Sequence, residues 1–230
     1  MAREVKAQFP KTLFHTDAVQ SFGKFPIPTA HSSIDLLSIS GHKVHGPKGV
    51  GALIILNKKL LQFGLSPQIW GGGQENGFRS GTQNVGLIAG FRVAAEQALR
   101  NQKNYGLHVS HLNKQFKERL IASRLLNPAG PSAIRWNSPE SASPYIVHLA
   151  APGFPAGPLT QLLEERNCLV ATGSACHSKK AQPDPVLQAM GFSSEIQRSS
   201  LRISFSESTQ TSDLEALVWA LQDSLLQMKR

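Results

Sequence analysis

Short apolar runs alternate with longer segments of helical spacing in the first hundred residues. Runs at residues 13–15, 34–39 and 51–56 are bounded by polar or Gly-rich sequence, which is typical of short buried strands. Residues 85–99 carry apolar side chains at helical spacing, with polar residues on the other side. This order of elements predicts an α/β fold.

The composition changes near residue 101, where we predict a domain boundary. Residues 107–124 are typical of a polar helix, and the Pro- and Ser-rich segment 127–144 of a loop. We therefore expect an α/β domain over residues 1–100 and a small α+β domain over residues 101–230. The pattern after the loop predicts strands at 145–150, 168–171 and 200–204 and helices at 159–166, 185–190 and 213–228.

Composition excludes several classes of function. The chain has 230 residues, 40% of them hydrophobic, which is enough for a sizeable core. Its net charge of +9 comes from scattered basic residues without aromatic interleaving, so we expect an anionic small molecule as ligand and no nucleic acid. No segment reaches the roughly 18 consecutive apolar residues of a membrane span. Two cysteines without zinc-site spacing predict no metal and favour a reducing compartment.

The clearest chemical motif is Ser-Ile-Ser-Gly-His-Lys at residues 38–43, followed by a Gly/Pro-rich turn. Lys43 follows an apolar strand, where partial desolvation favours the neutral amine that forms a Schiff base. Ser40 and His42 beside it offer donors for a phosphate. On this segment alone, a surface lysine at the end of a strand is an equally good interpretation of Lys43.

A second motif, His-Thr-Asp-Ala-Val-Gln at residues 15–20, lies at the end of another apolar strand. Its Asp17 is 26 positions before Lys43. If the two strands are parallel neighbours, Asp17 and Lys43 come to one edge of the sheet. A carboxylate there keeps the pyridine nitrogen of pyridoxal phosphate protonated, and Gln20 can hydrogen-bond the ring hydroxyl. The two motifs together therefore favour a pyridoxal-phosphate site.

Together these motifs resemble the cofactor site of class V aminotransferase-fold enzymes, specifically the cysteine desulfurases and selenocysteine lyases. The resemblance implies the carboxy-terminal part of a type I pyridoxal-phosphate transferase fold. Residues 1–100 then form a partial large cofactor-binding domain, and residues 101–230 form the small domain with the catalytic cysteine loop. The implied contacts are the pyridine nitrogen for Asp17, the ring oxygen for Gln20, the phosphate for Ser40 and His42, and the covalent bond to the cofactor for Lys43.

Two later segments resemble substrate- and phosphate-binding parts of the same family. The Gly-rich segment 71–82 resembles a loop whose threonine reaches the phosphate held by the partner subunit, which implies that Thr82 acts across a homodimer. A Gly-rich surface loop is the alternative. Arg202, within residues 198–204, resembles the arginine that binds the substrate carboxylate, a task suited to the planar guanidinium. Otherwise Arg202 is a solvated charge at a strand edge.

A third segment, Gly-Ser-Ala-Cys at residues 173–176, resembles the mobile loop that carries the catalytic cysteine of the desulfurases. The resemblance makes Cys176 the nucleophile, with nearby basic residues such as Lys179 favouring its thiolate. A lone cysteine is otherwise more often a small buried apolar residue, which is our expectation for Cys168.

The implied reaction removes sulfur from L-cysteine, giving alanine and a persulfide on Cys176 for an acceptor protein, as in iron–sulfur cluster assembly. Selenocysteine lyase activity is an alternative, and so is another class V reaction such as transamination, although transamination needs no nucleophilic thiol. Family members are longer at the amino terminus, where further cofactor contacts lie, so an inactive fragment acting as an interaction module is a third alternative. The expected compartment is the cytoplasm, or the mitochondrion if an amino-terminal portion is missing.

Overall fold

The structure is a computed structural model, and it describes residues 1–29, 33–63, 65–127, 133–172 and 184–229. The chain divides into two compact units, Met1–Asn104 and Tyr105–Arg230. Each unit combines helices with a small β-sheet, which confirms the predicted α/β class. Within the described part of the chain, no helix is both long and apolar enough to cross a membrane.

Unit 1 is built on a three-stranded sheet. Its elements are α1 (Ala2–Gln8), β1 (His15–Asp17), β2 (Leu36–Ser40), β3 (Gly51–Ile55), α2 (Leu60–Phe63) and the first part of α3 (Val85–Ala122). The central strand β2 pairs with β1 in parallel and with β3 in antiparallel orientation. The sheet is therefore mixed, and β2 fixes the positions of both neighbours.

The core of unit 1 lies between β2 and α3. Leu37 and Ile39 alternate with polar residues along β2 and form a buried cluster that includes Phe91 of α3. Gly23 has a φ of +75°, and a Cβ there would lie 2.9 Å from the Cβ of Ala98 on α3. Small residues thus let the chain after β1 approach the helix closely.

The buried carboxylate of Asp35 ties the start of β2 to three other segments. Asp35 is only 2% exposed. Its carboxylate accepts hydrogen bonds from the backbone N–H of Phe14 and from a side-chain N–H of Asn57, both at 2.7 Å. It also forms an ion pair with the Lys6 amine at 2.5 Å. Burial raises the pKa of Asp35, but the three donors outweigh burial and hold the pKa below its usual range. Because the carboxylate accepts the N–H of Phe14, the strand hydrogen bonds of β1 begin only at His15. The strand predicted at residues 13–15 is therefore wrong in its bounds.

The long helix α3 is continuous over 38 residues, whereas the pattern predicted two helices separated near residue 101. The intervening polar run 100–104 is mostly exposed, and it contains no proline that would break a helix. After this run, buried residues return at helical spacing. They are Val109, Leu112, Phe116 and Leu120.

Unit 2 has a four-stranded antiparallel sheet. Its strands are β4 (Arg135–Trp136), β5 (Ile146–Ala150), β6 (Ala171–Thr172) and β7 (Ser200–Ser204), in the order β4-β5-β7-β6. Its further helices are α4 (Ala156–Glu165), α5 (Pro185–Ala189), α6 (Ser194–Arg198) and α7 (Thr211–Gln227). Two apolar residues from each central strand are buried on one face of the sheet, namely Val147, Leu149, Leu201 and Ile203.

Cys168 lies at the end of α4 and not in the strand predicted at residues 168–171. Asn167 takes a left-handed φ of +58°, and the N–H of Cys168 donates to the carbonyl of Leu163 at 2.9 Å, which closes the last helical turn. Cys168 is half-buried rather than buried. Burial, followed by the charge of Asp213, raises the pKa of its thiol.

Replacing Asp35 with alanine should destabilise the chain, because the Lys6 amine and two N–H donors lose their buried acceptor. We expect the free energy of unfolding to fall by about 3 kcal/mol. Urea denaturation followed by circular dichroism measures this change. As a control, Glu4→Ala on the same helix as Lys6 removes only an exposed ion pair and should leave stability unchanged. Equal effects of the two substitutions would contradict this account of Asp35.

Candidate functional site

Polar residues gather at the carboxyl ends of β1 and β2. The register pairs Asp17, the last residue of β1, with Ser38 of β2, and the N–H of Ala18 donates to the carbonyl of Ser38 at 2.9 Å. Because the pairing is parallel, both carboxyl ends face the same edge of the sheet. Five residues predicted from the sequence lie at or just beyond this edge: Asp17, Gln20, Ser40, His42 and Lys43.

The carboxylate of Asp17 is exposed, and only one of its two oxygens accepts a hydrogen bond from the described residues. Its Oδ1 accepts the N–H of Val19 at 3.0 Å, and its Oδ2 has no hydrogen-bond partner among the described residues. Gln20 lies in the turn that follows and is also exposed. The backbone of Val19 therefore fixes the carboxylate while one oxygen stays available for an N–H group.

Ser40 and His42 form a polar pair at the end of β2, with 2.9 Å between Ser40 Oγ and His42 Nδ1. His42 and Lys43 belong to a 3₁₀ turn, Gly41–Val44, that follows the strand directly. Lys43 is half-buried, and its amine makes no ion pair or hydrogen bond with the described residues. This arrangement leaves an amine free to bond an aldehyde beside two groups that can bind an anion.

Glycines allow the backbone to close tightly around this turn. The N–H of Gly46 donates to the carbonyl of Gly41 at 3.0 Å, and a Cβ at Gly46 would lie 2.9 Å from that same oxygen. A Cβ at Gly51 would lie 2.7 Å from the carbonyl oxygen of Ile39. Both close neighbours are backbone atoms, so a side chain at either position would force the turn or the strand to move.

The structure adds one contact at this edge that sequence reasoning missed. His15 Nε2 and Ser38 Oγ lie 2.8 Å apart and join β1 to β2. Side chains alternate along a strand, so His15 and Asp17 share one face of β1. The polar residues at alternating positions of both motifs are the feature of the sequence from which this contact could have been predicted.

Thr82 lies in an exposed loop before α3. The N–H of Gly81 donates to Gln74 Oε1 at 3.0 Å, so the loop is held by its own hydrogen bonds. Trp70 in this loop is 78% exposed. In the part of the chain that the structure describes, no hydrogen bond joins Thr82 to the residues at the ends of β1 and β2.

Arg202 lies in unit 2, in the middle of β7. It is the register partner of His148 on β5 and of Ala171 on β6. Arg202 is half-buried and makes no ion pair or hydrogen bond with the described residues, so its guanidinium is available for an anionic ligand. Cys176, the predicted nucleophile, lies outside the described residues.

Sequence reasoning missed His148, which lies in the middle of the apolar strand β5. Its Nδ1 lies 3.1 Å from Asn137 Nδ2, and its buried Nε2 has no partner among the described residues. Burial lowers the pKa of His148, the charge of Asp184 raises it and the charge of Arg202 lowers it, with a net result below the usual range. This shift favours the neutral imidazole.

Comparison with known proteins gives a consistent family assignment. Residues 1–217 match the family described as aminotransferase class-V. The chain is 36% identical over 205 residues to the cysteine desulfurase IscS of Rickettsia typhi, covering 89% of the chain and 48% of that protein. It is 33% identical over 213 residues to the mitochondrial cysteine desulfurase of Candida albicans, covering 93% of the chain and 42% of that protein.

Solved structures agree with these relatives. The NifS-like protein from Rickettsia africae matches with a TM-score of 0.80 at 30% identity, covering 97% of this chain and 57% of that one. The chain spans about half the length of the curated relatives it matches. The resemblance to the class V fold and the cysteine desulfurases, predicted from the sequence motifs, is confirmed.

Replacing Gly46 with alanine should distort the turn that carries Lys43, because the new Cβ meets the carbonyl oxygen of Gly41. We expect the melting temperature to fall by about 5 °C, as overpacking a tightly packed site costs roughly 1–3 kcal/mol. Gly86→Ala is the matched control, since its Cβ would meet only Asn84 Oδ1 at 3.7 Å on the first turn of α3. Alanine should leave stability unchanged or improve it there. A neutral Gly46→Ala variant in thermal unfolding would contradict the tight turn.

Proposed function

The chain belongs to the aminotransferase class-V family, and on that premise we propose that it is the carboxy-terminal part of a pyridoxal-phosphate-dependent cysteine desulfurase. The observation that carries the proposal is the group of polar residues at the shared edge of β1 and β2, with Asp17 on one strand and Lys43 after the other. The sequence relatives named above are cysteine desulfurases from a bacterium and a fungus, which supports the choice of reaction.

The donor set at this edge fits pyridoxal phosphate. A phosphate needs N–H and O–H donors, which Ser40 and His42 supply as a preformed pair. The free oxygen of Asp17 suits a protonated pyridine nitrogen, and the carboxamide of Gln20 suits the ring oxygen. Lys43 provides the amine for the covalent bond. When bound, the cofactor supplies an electron sink for the bonds around the substrate Cα.

The remaining steps use this chain's own side chains. Arg202 binds the substrate carboxylate through two parallel hydrogen bonds, and Lys43 Nζ takes up and returns the proton at the substrate Cα. The Cys176 thiolate attacks the substrate sulfur, so that a sulfur–sulfur bond forms while the carbon–sulfur bond breaks. The three-carbon remainder keeps the electron pair, takes up a proton and leaves as alanine. The persulfide on Cys176 then passes its outer sulfur to an acceptor protein.

The active form in this proposal is a homodimer in which Thr82 reaches the phosphate held by the second subunit. The loop before α3 supports this arrangement, because it is fixed by its own hydrogen bonds and yet exposes two large apolar residues. Ile69 is 49% and Trp70 is 78% exposed. Large apolar side chains held on an ordered surface favour burial against a partner.

The proposed compartment is the cytoplasm. A nucleophilic thiol has to stay reduced between turnovers, which a cytoplasmic environment ensures. The relatives include one named as mitochondrial.

Lys43→Ala should abolish covalent attachment of pyridoxal phosphate, because alanine has no amine to bond the aldehyde. Lys48→Ala is the matched control, since Lys48 is an exposed lysine in the same Gly/Pro-rich segment. Titration of the purified chain with pyridoxal phosphate, followed by dialysis and an absorption spectrum, reports the bound cofactor. Retention by Lys43→Ala, or equal loss in both variants, would contradict the assignment of Lys43.

Cys176→Ser should bind the cofactor as the wild type does but form no persulfide, since a hydroxyl does not accept the sulfur. We expect alanine release from L-cysteine to fall at least about 100-fold. Cys168→Ser is the control and should keep activity, because the raised pKa of Cys168 keeps that thiol protonated. Alanine is measured by chromatography and the persulfide by alkylation and mass spectrometry.

Sulfur transfer that survives in Cys176→Ser would overturn the role of Cys176. A wild-type chain that neither retains cofactor nor makes alanine, but co-purifies with a full-length relative, would favour the interaction module instead.

A further inference from the structure

His148 and Arg202 are neighbours on the face of the unit 2 sheet opposite its buried apolar residues. The antiparallel register of β5 and β7 places them directly opposite each other, where Cβ atoms are about 5 Å apart. The residues before and after each of them on the two strands, such as Val147 and Leu201, point to the buried face. The two polar side chains therefore share one face, and His148 lies beside the guanidinium proposed to bind substrate.

The backbone of His148 is held in place from both sides. Its carbonyl accepts the N–H groups of Asn137 at 2.9 Å and Ser138 at 3.1 Å, and its N–H donates to Ser138 Oγ at 2.8 Å. The ring is fixed as well, since Nδ1 contacts the side-chain amide of Asn137 at 3.1 Å. A ring held this firmly keeps its Nε2 in a constant position relative to β7.

Two buried polar atoms in this cluster have no partner among the described residues, His148 Nε2 and Asn137 Oδ1. A buried polar atom left without a hydrogen bond destabilises the fold, so native structures keep such atoms where another group completes them. Arg202 is the neighbouring group with unused donors, and its guanidinium has five N–H groups. His148 Nε2 can therefore act as an acceptor, and Arg202 on the neighbouring strand has N–H donors that no described residue uses.

The charges around the ring select the tautomer. Arg202 is its register partner on β7, and the charge of Asp184 at the start of α5 also acts on it, while Asn137 after β4 is neutral. A cation beside Nε2 favours a lone pair there and not an N–H. The carboxamide of Asn137 has the same shape in either orientation, and with Oδ1 toward the ring it accepts Nδ1–H and leaves Nε2 as an acceptor.

We propose that neutral His148 is a positioning residue for Arg202: its Nε2 accepts one N–H of the guanidinium, so that the remaining N–H groups are aimed at a carboxylate. This inference rests on the proposed function, in which Arg202 binds the carboxylate of L-cysteine. The structure contains no hydrogen bond between the two side chains, so the contact forms as Arg202 turns toward its ligand. His148 itself does not touch the substrate.

Nitrogen-15 NMR of the histidine rings in the full chain tests the pairing without any need for activity. Saturating L-alanine provides the carboxylate, and His148→Gln identifies the signal among the eight histidines. We expect Nδ1 to be protonated and Nε2 unprotonated at pH 7.5, with a pKa below the usual value of a histidine. Arg202→Leu should raise this pKa, because a nearby positive charge is removed. Ser204→Ala, on the same face of β7, should leave it unchanged. A protonated Nε2, or a pKa that Arg202→Leu does not move, would overturn the proposal.

Steady-state kinetics give an independent readout. His148→Leu should raise the KM for L-cysteine about tenfold and keep kcat within about twofold, because it weakens ground-state and transition-state binding equally. His148→Gln should recover most of the loss, since its side-chain oxygen can accept the N–H. Unchanged KM with a lower kcat would indicate a purely structural role and overturn the proposal. If the wild-type chain makes no alanine, the proposed function fails, and the NMR result alone decides the role of His148.

Discussion

The buried carboxylate of Asp35 fixes the register on which the rest of unit 1 depends. It binds donors from α1, from the residue before β1 and from a residue after β3, so one side chain joins every segment around the amino end of β2. β2 is only five residues long, and Lys43 follows three residues after its end. A slip of one residue would turn Leu37 out of the core and move the polar edge residues to the other face.

Short apolar runs in the sequence were sufficient to predict several of the strands. β2, β3, β5 and β7 lie where these runs predicted them; β2, β5 and β7 bury apolar side chains, whereas β3, at the edge of its sheet, is mostly exposed. The motifs around Asp17 and Lys43 were recognisable because their chemistry depends on residues close in sequence. The contact of His15 with Ser38 joins two motifs that are distant in sequence, whereas the register pairing of His148 with Arg202 had no local signal and appeared only when the strands were paired.

The errors have physical causes of the same kind. The polar stretch within α3 was interpreted as a break between two helices, although an exposed helix needs no apolar residues to continue. Cys168 was assigned to a strand because its neighbours are apolar, but the left-handed Asn167 commits it to the end of α4. In both places the hydrogen bonding of the backbone, and not hydrophobicity, decides the local structure.

The central claim is that the edge formed by β1 and β2 binds pyridoxal phosphate through Lys43. Reduction of the cofactor-treated chain with borohydride, followed by peptide mapping, tests it directly because the reduced bond is permanent and its position can be read by mass spectrometry. The account predicts one pyridoxyl group per chain, on Lys43. Modification spread over exposed lysines such as Lys48, or none at all, would contradict it.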